Sequence, residues 1–134
     1  MKALITGSEG FVGKYLRAEL EAHGYDVTGL DLAPGEKTVA VNLLEAEKVG
    51  ALLEELQPEV IFHLAGQANV GLSWKKPVLT MEINLIAAVN LMDANTKKQS
   101  CYKLCFRVYV YFVLTLQIRF SPHRNPCTDT ASRK

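Results

Sequence analysis

The chain of 134 residues has only three cysteines, Cys101, Cys105 and Cys127. They cluster late in the sequence without zinc-ligand spacing, so no metal site is expected and all three read as reduced thiols. No signal peptide is expected either, because Met1-Lys2 passes straight into a strand-like apolar run, and a cytoplasmic location follows as the default. The formal net charge is only +1, and no repeated Arg/Lys motif or basic amphipathic period occurs. Nucleic-acid and membrane partners are therefore not expected. The apolar stretch from Phe106 to Ile118 is too short to span a bilayer as a helix. What remains is one domain, 49% hydrophobic, with ample material for a core.

The near-zero charge conceals an asymmetry. Residues 1–96 carry 7 Lys/Arg against 13 Asp/Glu, a net of −6, whereas 97–134 carry 8 against 1, a net of +7. The three cysteines share that second part, so the composition changes abruptly near Thr96.

Before the change, one segment carries most of the chemistry. Thr6 to Gly13 reads Thr-Gly-Ser-Glu-Gly-Phe-Val-Gly, between the apolar run Ala3-Leu4-Ile5 and a helical pattern starting near Phe11. Gly7 permits a sharp turn out of a strand, Gly10 lets the backbone approach a pyrophosphate, and Gly13 lets the new helix pack closely. The helix opening adds unpaired N–H groups and a positive dipole end, so phosphates are held without a lysine. Phe11, Val12, Tyr15, Leu16 and Leu20 form its apolar face, His23-Gly24 stops it, and a second strand runs from Tyr25 to Leu30. Asp31 ends that strand. An acidic side chain there accepts hydrogen bonds from both ribose hydroxyls and repels a 2′-phosphate, which favours NAD over NADP; the competing reading is a turn aspartate before Ala33-Pro34-Gly35.

The remaining pattern alternates. Thr38 to Val41 is a short strand, Glu45 to Leu56 a helix with Val49, Leu52, Leu53 and Leu56 on one face, and Val60 to Leu64 a buried strand. A loop is expected from Ala65 to Pro77. From Val78 to Ala94, Leu79, Ile83, Ile86, Val89, Leu91 and Met92 fit a long, heavily buried helix. Strands alternating with helices imply an α/β fold with a parallel sheet and right-handed crossovers.

As an ordered set, Thr-Gly-x-x-Gly-Phe-x-Gly at 6–13, Asp31, Asn42-Leu43, His63-Leu64-Ala65-Gly66 and Asn84 resemble the extended short-chain dehydrogenase/reductases, the NAD-dependent sugar-nucleotide epimerases and dehydratases. The resemblance covers residues 2 to about 96. Phe62 to Ala65 and the loop Gln67 to Trp74 look most like the GDP-mannose 4,6-dehydratases and the GDP-4-keto-6-deoxymannose reductases. It implies a Rossmann-like, doubly wound parallel sheet, truncated, with helices on both faces. It also implies that Gly7, Gly10, Phe11, Val12 and Gly13 surround the pyrophosphate of NAD, that Asp31 takes the ribose, and that Asn42 and Leu43 flank adenine. Leu64, Ala65 and Gly66 would lie along the cofactor, with Gln67 toward the nicotinamide side. Asn84 either braces the sheet or a neighbouring loop, or is an ordinary polar helix position. His63 reads as a hydrogen-bonded core residue, and Trp74 as a lid or a hydrophobic plug; neither is assigned to the site.

The family's chemistry uses a tyrosine with a lysine four residues on. Tyr15, Tyr25, Tyr102, Tyr109 and Tyr111 are followed at that spacing by Glu19, Gly29, Phe106, Val113 and Thr115, so no catalytic residue is assigned. The organisation expected is an incomplete NAD(P)-binding domain at 1–98, a divergent apolar segment at 99–120 in which Phe106 to Ile118 is either a substitute strand beside the fourth or an exposed aggregation-prone segment, and a disordered basic tail at 121–134. Truncation, alternative splicing or a shifted frame accounts most simply for the break. Three functions follow: the amino-terminal part of a sugar-nucleotide enzyme, with the nucleotide-sugar bound only in full-length relatives; a non-catalytic module docking on such a relative as a dimer; or an unstable fragment.

Overall fold

The computed structural model describes residues 1–96 and 103–106. Five strands, β1 (Lys2–Thr6), β2 (Asp26–Asp31), β3 (Thr38–Ala40), β4 (Val60–His63) and β5 (Lys103–Phe106), form one parallel sheet in the order β3-β2-β1-β4-β5. Parallel neighbours require crossovers, and helices α1 (Phe11–Ala22) and α2 (Ala46–Leu56) supply two of them. Successive side chains on a strand point to opposite faces, and the core divides accordingly. Leu4, Leu30 and Ile61 join Leu43, Val49, Leu53, Ala87 and Leu91 in one cluster. Ala3, Ile5, Val27 and Val60 form the other, with Leu16 and Leu20 of α1 packed on it. Helices thus cover both faces of a Rossmann-like sheet. The strand order reverses at β1, which places the ligand crevice at the carboxyl ends of β1 and β4.

Three expectations are corrected. In α1, Phe11, Val12 and Tyr15 point outward, Phe11 being 80% exposed, and of the expected apolar face Leu16 and Leu20 turn toward the fold, beside the buried Gly13. The expected loop 65–77 contains a short helix α3 (Val70–Lys75), started by Asn69, whose Oδ1 accepts from the Leu72 N–H at 2.9 Å. The long helix is divided into α4 (Pro77–Met81), a π-helical turn (Glu82–Ile86) and α5 (Ala87–Thr96). It is not heavily buried: Ala87, Ala88 and Leu91 face the core, while Val78, Met81, Leu85, Ile86 and Val89 are exposed. An all-apolar helix has two faces to cover, and α2 with the sheet covers one. Beside β4 runs β5, in register from Val60↔Lys103 to His63↔Phe106; of the stretch from Phe106 to Ile118 expected to supply a strand, only Phe106 falls within the described residues. Residues 107–134, Cys101 and Cys127 lie outside the described residues.

Pro77–Ala94 is long and apolar enough to cross a membrane by length and composition alone. Two of its polar side chains are nonetheless tied into the fold, Asn90 Nδ2 donating to the Leu43 carbonyl at 2.9 Å and Asn84 holding a loop described below. With Leu91 fully buried, this helix serves as a layer of the domain.

Candidate dinucleotide site

The turn after β1 is closed by its own backbone. The Gly7 and Ser8 N–H groups donate to the Leu30 carbonyl at 2.8 and 3.3 Å, and the Gly10 N–H to the Gly7 carbonyl at 3.1 Å. Gly7 has φ +71°, a left-handed conformation that suits glycine, and a Cβ there would lie 2.8 Å from the Ala65 nitrogen. A Cβ on Gly13 would lie 2.4 Å from the Gly7 oxygen and 2.7 Å from Ser8 Cα. Gly13 therefore packs against the turn itself. Gly10 differs, because its Cβ would meet only the Gly7 oxygen at 3.2 Å and otherwise enters open space.

Gly10 is also the N-cap of α1 and supplies no side-chain cap. The first turn-to-helix bond runs from the Lys14 N–H to the Gly10 carbonyl at 3.2 Å, so the N–H groups of Phe11, Val12 and Gly13 precede the helical ladder. Phe11 and Val12 turn their side chains to solvent, which leaves their backbone N–H groups as what they offer at the helix opening.

Asp31, half-buried at the end of β2, has its carboxylate held in place by two backbone donors: the Glu9 N–H to Oδ2 at 2.9 Å and the Leu32 N–H to Oδ1 at 2.8 Å. A carboxylate has about four acceptor positions, so two bonds orient it and leave capacity for hydroxyl groups. Asn42 Oδ1 accepts from the Leu44 N–H at 3.1 Å, closing a local turn, while Leu43 is buried in the core and holds that loop from below.

At the end of β4 the Leu64 N–H donates to the Thr6 carbonyl at 3.0 Å, and the Ala65 N–H to Thr6 Oγ1 at 3.3 Å. Thr6 Oγ1 accepts from the Ala65 N–H and also hydrogen-bonds His63 Nδ1 at 2.6 Å, which ties the ring to β1. Burial lowers the His63 pKa to about 4. His63 is thus a buried, neutral strand stitch, as its core reading expects. Leu64 and Ala65 are half-buried and Gly66 exposed, with a Gly66 Cβ placed 3.2 Å from Asn84 Oδ1. Asn84, in the π-helical turn, grips Gln67 at two points: its Oδ1 accepts from the Gln67 N–H at 2.6 Å and its Nδ2 donates to the Gln67 carbonyl at 3.1 Å. Of its two readings, the loop brace is the one observed. The Gln67 amide folds back onto Asn69, away from any extended reach.

Sequence reading missed the network under Glu9. Thr38 Oγ1 donates to Glu9 Oε1 at 2.6 Å and accepts from Arg17 Nη2 at 2.7 Å. Arg17 Nη1 donates to the Glu36 carbonyl at 2.7 Å and lies 3.9 Å from Glu9 Oε1, and Lys14 Nζ lies 3.8 Å from Glu9 Oε2. In the sequence Glu9 is an unspecified position between glycines, and nothing there links it to residues 17 and 38. The described residues contain no His/Cys/Asp/Glu group able to hold a metal ion.

Residues 3–110 match the model of the NAD dependent epimerase/dehydratase family, and the chain belongs to that family. The match crosses the change of composition near Thr96 and includes β5. The chain is 36% identical to a UDP-glucose 4-epimerase of Mycolicibacterium smegmatis, over 70% of this chain and 34% of that protein. It is 39% identical to the GDP-6-deoxy-D-mannose reductase of Pseudomonas aeruginosa, over 69% of this chain and 29% of the relative. Its fold superposes on the UDP-glucose 4-epimerase of Thermus thermophilus, solved in complex with NAD, with a TM-score of 0.67 and 35% identity, covering 72% of this chain and 34% of that one. The chain spans about a third of the length of these relatives.

Proposed function

We propose that this chain is the NAD-binding amino-terminal part of a sugar-nucleotide dehydratase, epimerase or reductase of that family, and that it does not turn over a nucleotide-sugar by itself. The observation that carries the reading is the uncapped opening of α1 beside an oriented carboxylate: Gly10 leaves the N–H groups of Phe11 and Val12 open, and Asp31 stands at the adjacent strand end. The pair fits a pyrophosphate joined to a ribose. Gly7 and Gly13 keep the turn tight, Asn42 lies on the adenine side, and Leu64, Ala65 and Gly66 line the path toward the nicotinamide. NAD, when bound, supplies a hydride acceptor.

Inactivity of this chain alone rests on its five tyrosines, none of which has a lysine four residues on. The substrate class of the complete enzyme is a nucleoside-diphosphate hexose, and the Gln67–Trp74 loop with the reductase relative favours a GDP-mannose-derived sugar. The exposed residues Val78, Met81, Leu85 and Val89 support docking of this helix on a full-length relative. Thermal melting with and without NAD tests the core reading. A ligand at one hundred times its Kd adds about 2.7 kcal/mol to the folded state and raises the melting point; a cooperative melt that NAD leaves unmoved refutes it, as does turnover of a nucleotide-sugar for the second clause.

A further inference from the structure

Glu9 touches both the proposed ribose acceptor and the nearest cations. Its backbone N–H bonds Asp31 Oδ2, and its carboxylate is fixed by the Thr38 hydroxyl with Arg17 and Lys14 on either side. Arg17 is built into this place. Its guanidinium lies across β2 where Gly29 has no side chain, a Cβ there falling 2.1 Å from Nη2, and only 16% of its side chain is exposed. A mostly buried guanidinium linked through Glu9 to the ribose end of a dinucleotide site is a group that can take a 2′-phosphate, since two parallel N–H donors match phosphate oxygens. In this chain that cation is already occupied by Glu9, Thr38 and the Glu36 carbonyl.

We infer that Glu9 is a cofactor-selectivity residue: by holding Arg17 and Lys14 in ion pairs and carrying a carboxylate on the residue whose N–H binds Asp31, it excludes 2′-phosphorylated dinucleotides. The inference rests on the NAD-binding reading and adds to it a determinant outside the strand-end aspartate. Asp31 offers acceptors to the ribose; Glu9 denies cations to a phosphate. Removing the Glu9 charge releases two cations next to a group of about two negative charges, an interaction weakened by salt because Lys14 is exposed.

The test is calorimetric titration of NAD and NADP into the full chain, its Glu9→Gln and Glu9→Ala variants, and the double variant Glu9→Gln/Arg17→Met, at low and high salt. Either single variant is expected to lower the ratio of the NADP Kd to the NAD Kd by about tenfold at low salt, equivalent to ~1.4 kcal/mol. Added salt should shrink that gain, and the double variant should lose it. Wild-type chain titrated across salt needs no substitution, and its NAD preference should narrow as salt rises. A wild type that binds NAD, with a ratio that neither Glu9 substitution nor salt changes, overturns the inference alone. A wild type that binds neither dinucleotide overturns the NAD reading and this inference with it.

Discussion

Replacing Gly13 by alanine places a methyl group where the backbone has no room. The added Cβ would lie 2.4 Å from the Gly7 oxygen, 2.7 Å from Ser8 Cα and 2.7 Å from the Ser8 oxygen. All three are main-chain atoms of a hydrogen-bonded turn, so none can rotate aside. Restoring ordinary contact needs about 1 Å of separation between α1 and the turn, and overpacking of this kind costs roughly 1–3 kcal/mol or more. Alanine returns at most about 1 kcal/mol through helix propensity. The net expectation is a loss of about 2 kcal/mol, and a melting point lower by ~10 °C at the usual scaling for a domain of this size. Gly50→Ala is the internal control. It lies inside α2 with nothing within 4 Å of its added Cβ, so propensity acts alone and the variant gains about 0.5–1 kcal/mol. Urea unfolding followed by circular dichroism measures both. A Gly13→Ala chain as stable as wild type, or two variants shifting in the same direction, refutes the reasoning.

Because His63 is neutral when folded, with a pKa lowered to about 4 against an ordinary 6.5, it contributes no pH dependence above pH 6.5. Between pH 6.5 and 4 the unfolded chain takes a proton that the native histidine refuses, so stability falls by up to about 1.4 kcal/mol per unit. Urea midpoints at pH 7, 5.5 and 4.5 should therefore drop less steeply in His63→Gln than in wild type, and equal slopes would contradict the assignment. Asn84→Ala should cost about 1–3 kcal/mol by orphaning the Gln67 N–H and carbonyl. Asn84→Asp does not rescue it, because a carboxylate then faces the Gln67 carbonyl; protease sensitivity of residues 65–69 reports both variants. Leu91→Ala, at a fully buried position, should cost roughly 2–5 kcal/mol, whereas Val89→Ala on the exposed face of the same helix stays within about 0.5 kcal/mol. Similar losses at 89 and 91 would show that both faces are covered.

The alternation of short apolar strands with helical periods was enough to place β1 to β4 and both crossover helices, because burial on a two-sided sheet imposes continuous apolar runs such as Val60-Ile61-Phe62. The glycine turn was legible for a similar reason: at Gly7 and Gly13 the backbone itself excludes a side chain. Periodicity failed where apolarity and burial part company. Phe11, Tyr15, Ile86 and Val89 look like core residues in a helical pattern and are exposed, since the pattern names a helix and not the faces its neighbours cover. α3 was hidden because it starts on one asparagine, Asn69 capping the Leu72 N–H, and the π-helical turn because apolar spacing does not distinguish it from the α-helix on either side. The Glu9, Arg17 and Thr38 network is assembled by strand order, so residues far apart in the chain meet only after β2 and β3 pair.

The central claim is that the opening of α1 and Asp31 hold a dinucleotide, and calorimetric titration of NAD into the wild type, Gly10→Val and Asp31→Ala tests it directly. Gly10 bears on the ligand more than on the fold, since its Cβ meets only the Gly7 oxygen. The account predicts saturable binding by the wild type and losses of at least about tenfold in both variants, with cooperative melting retained. Wild-type affinity that survives both substitutions, or a folded wild type that takes up no NAD, would contradict it.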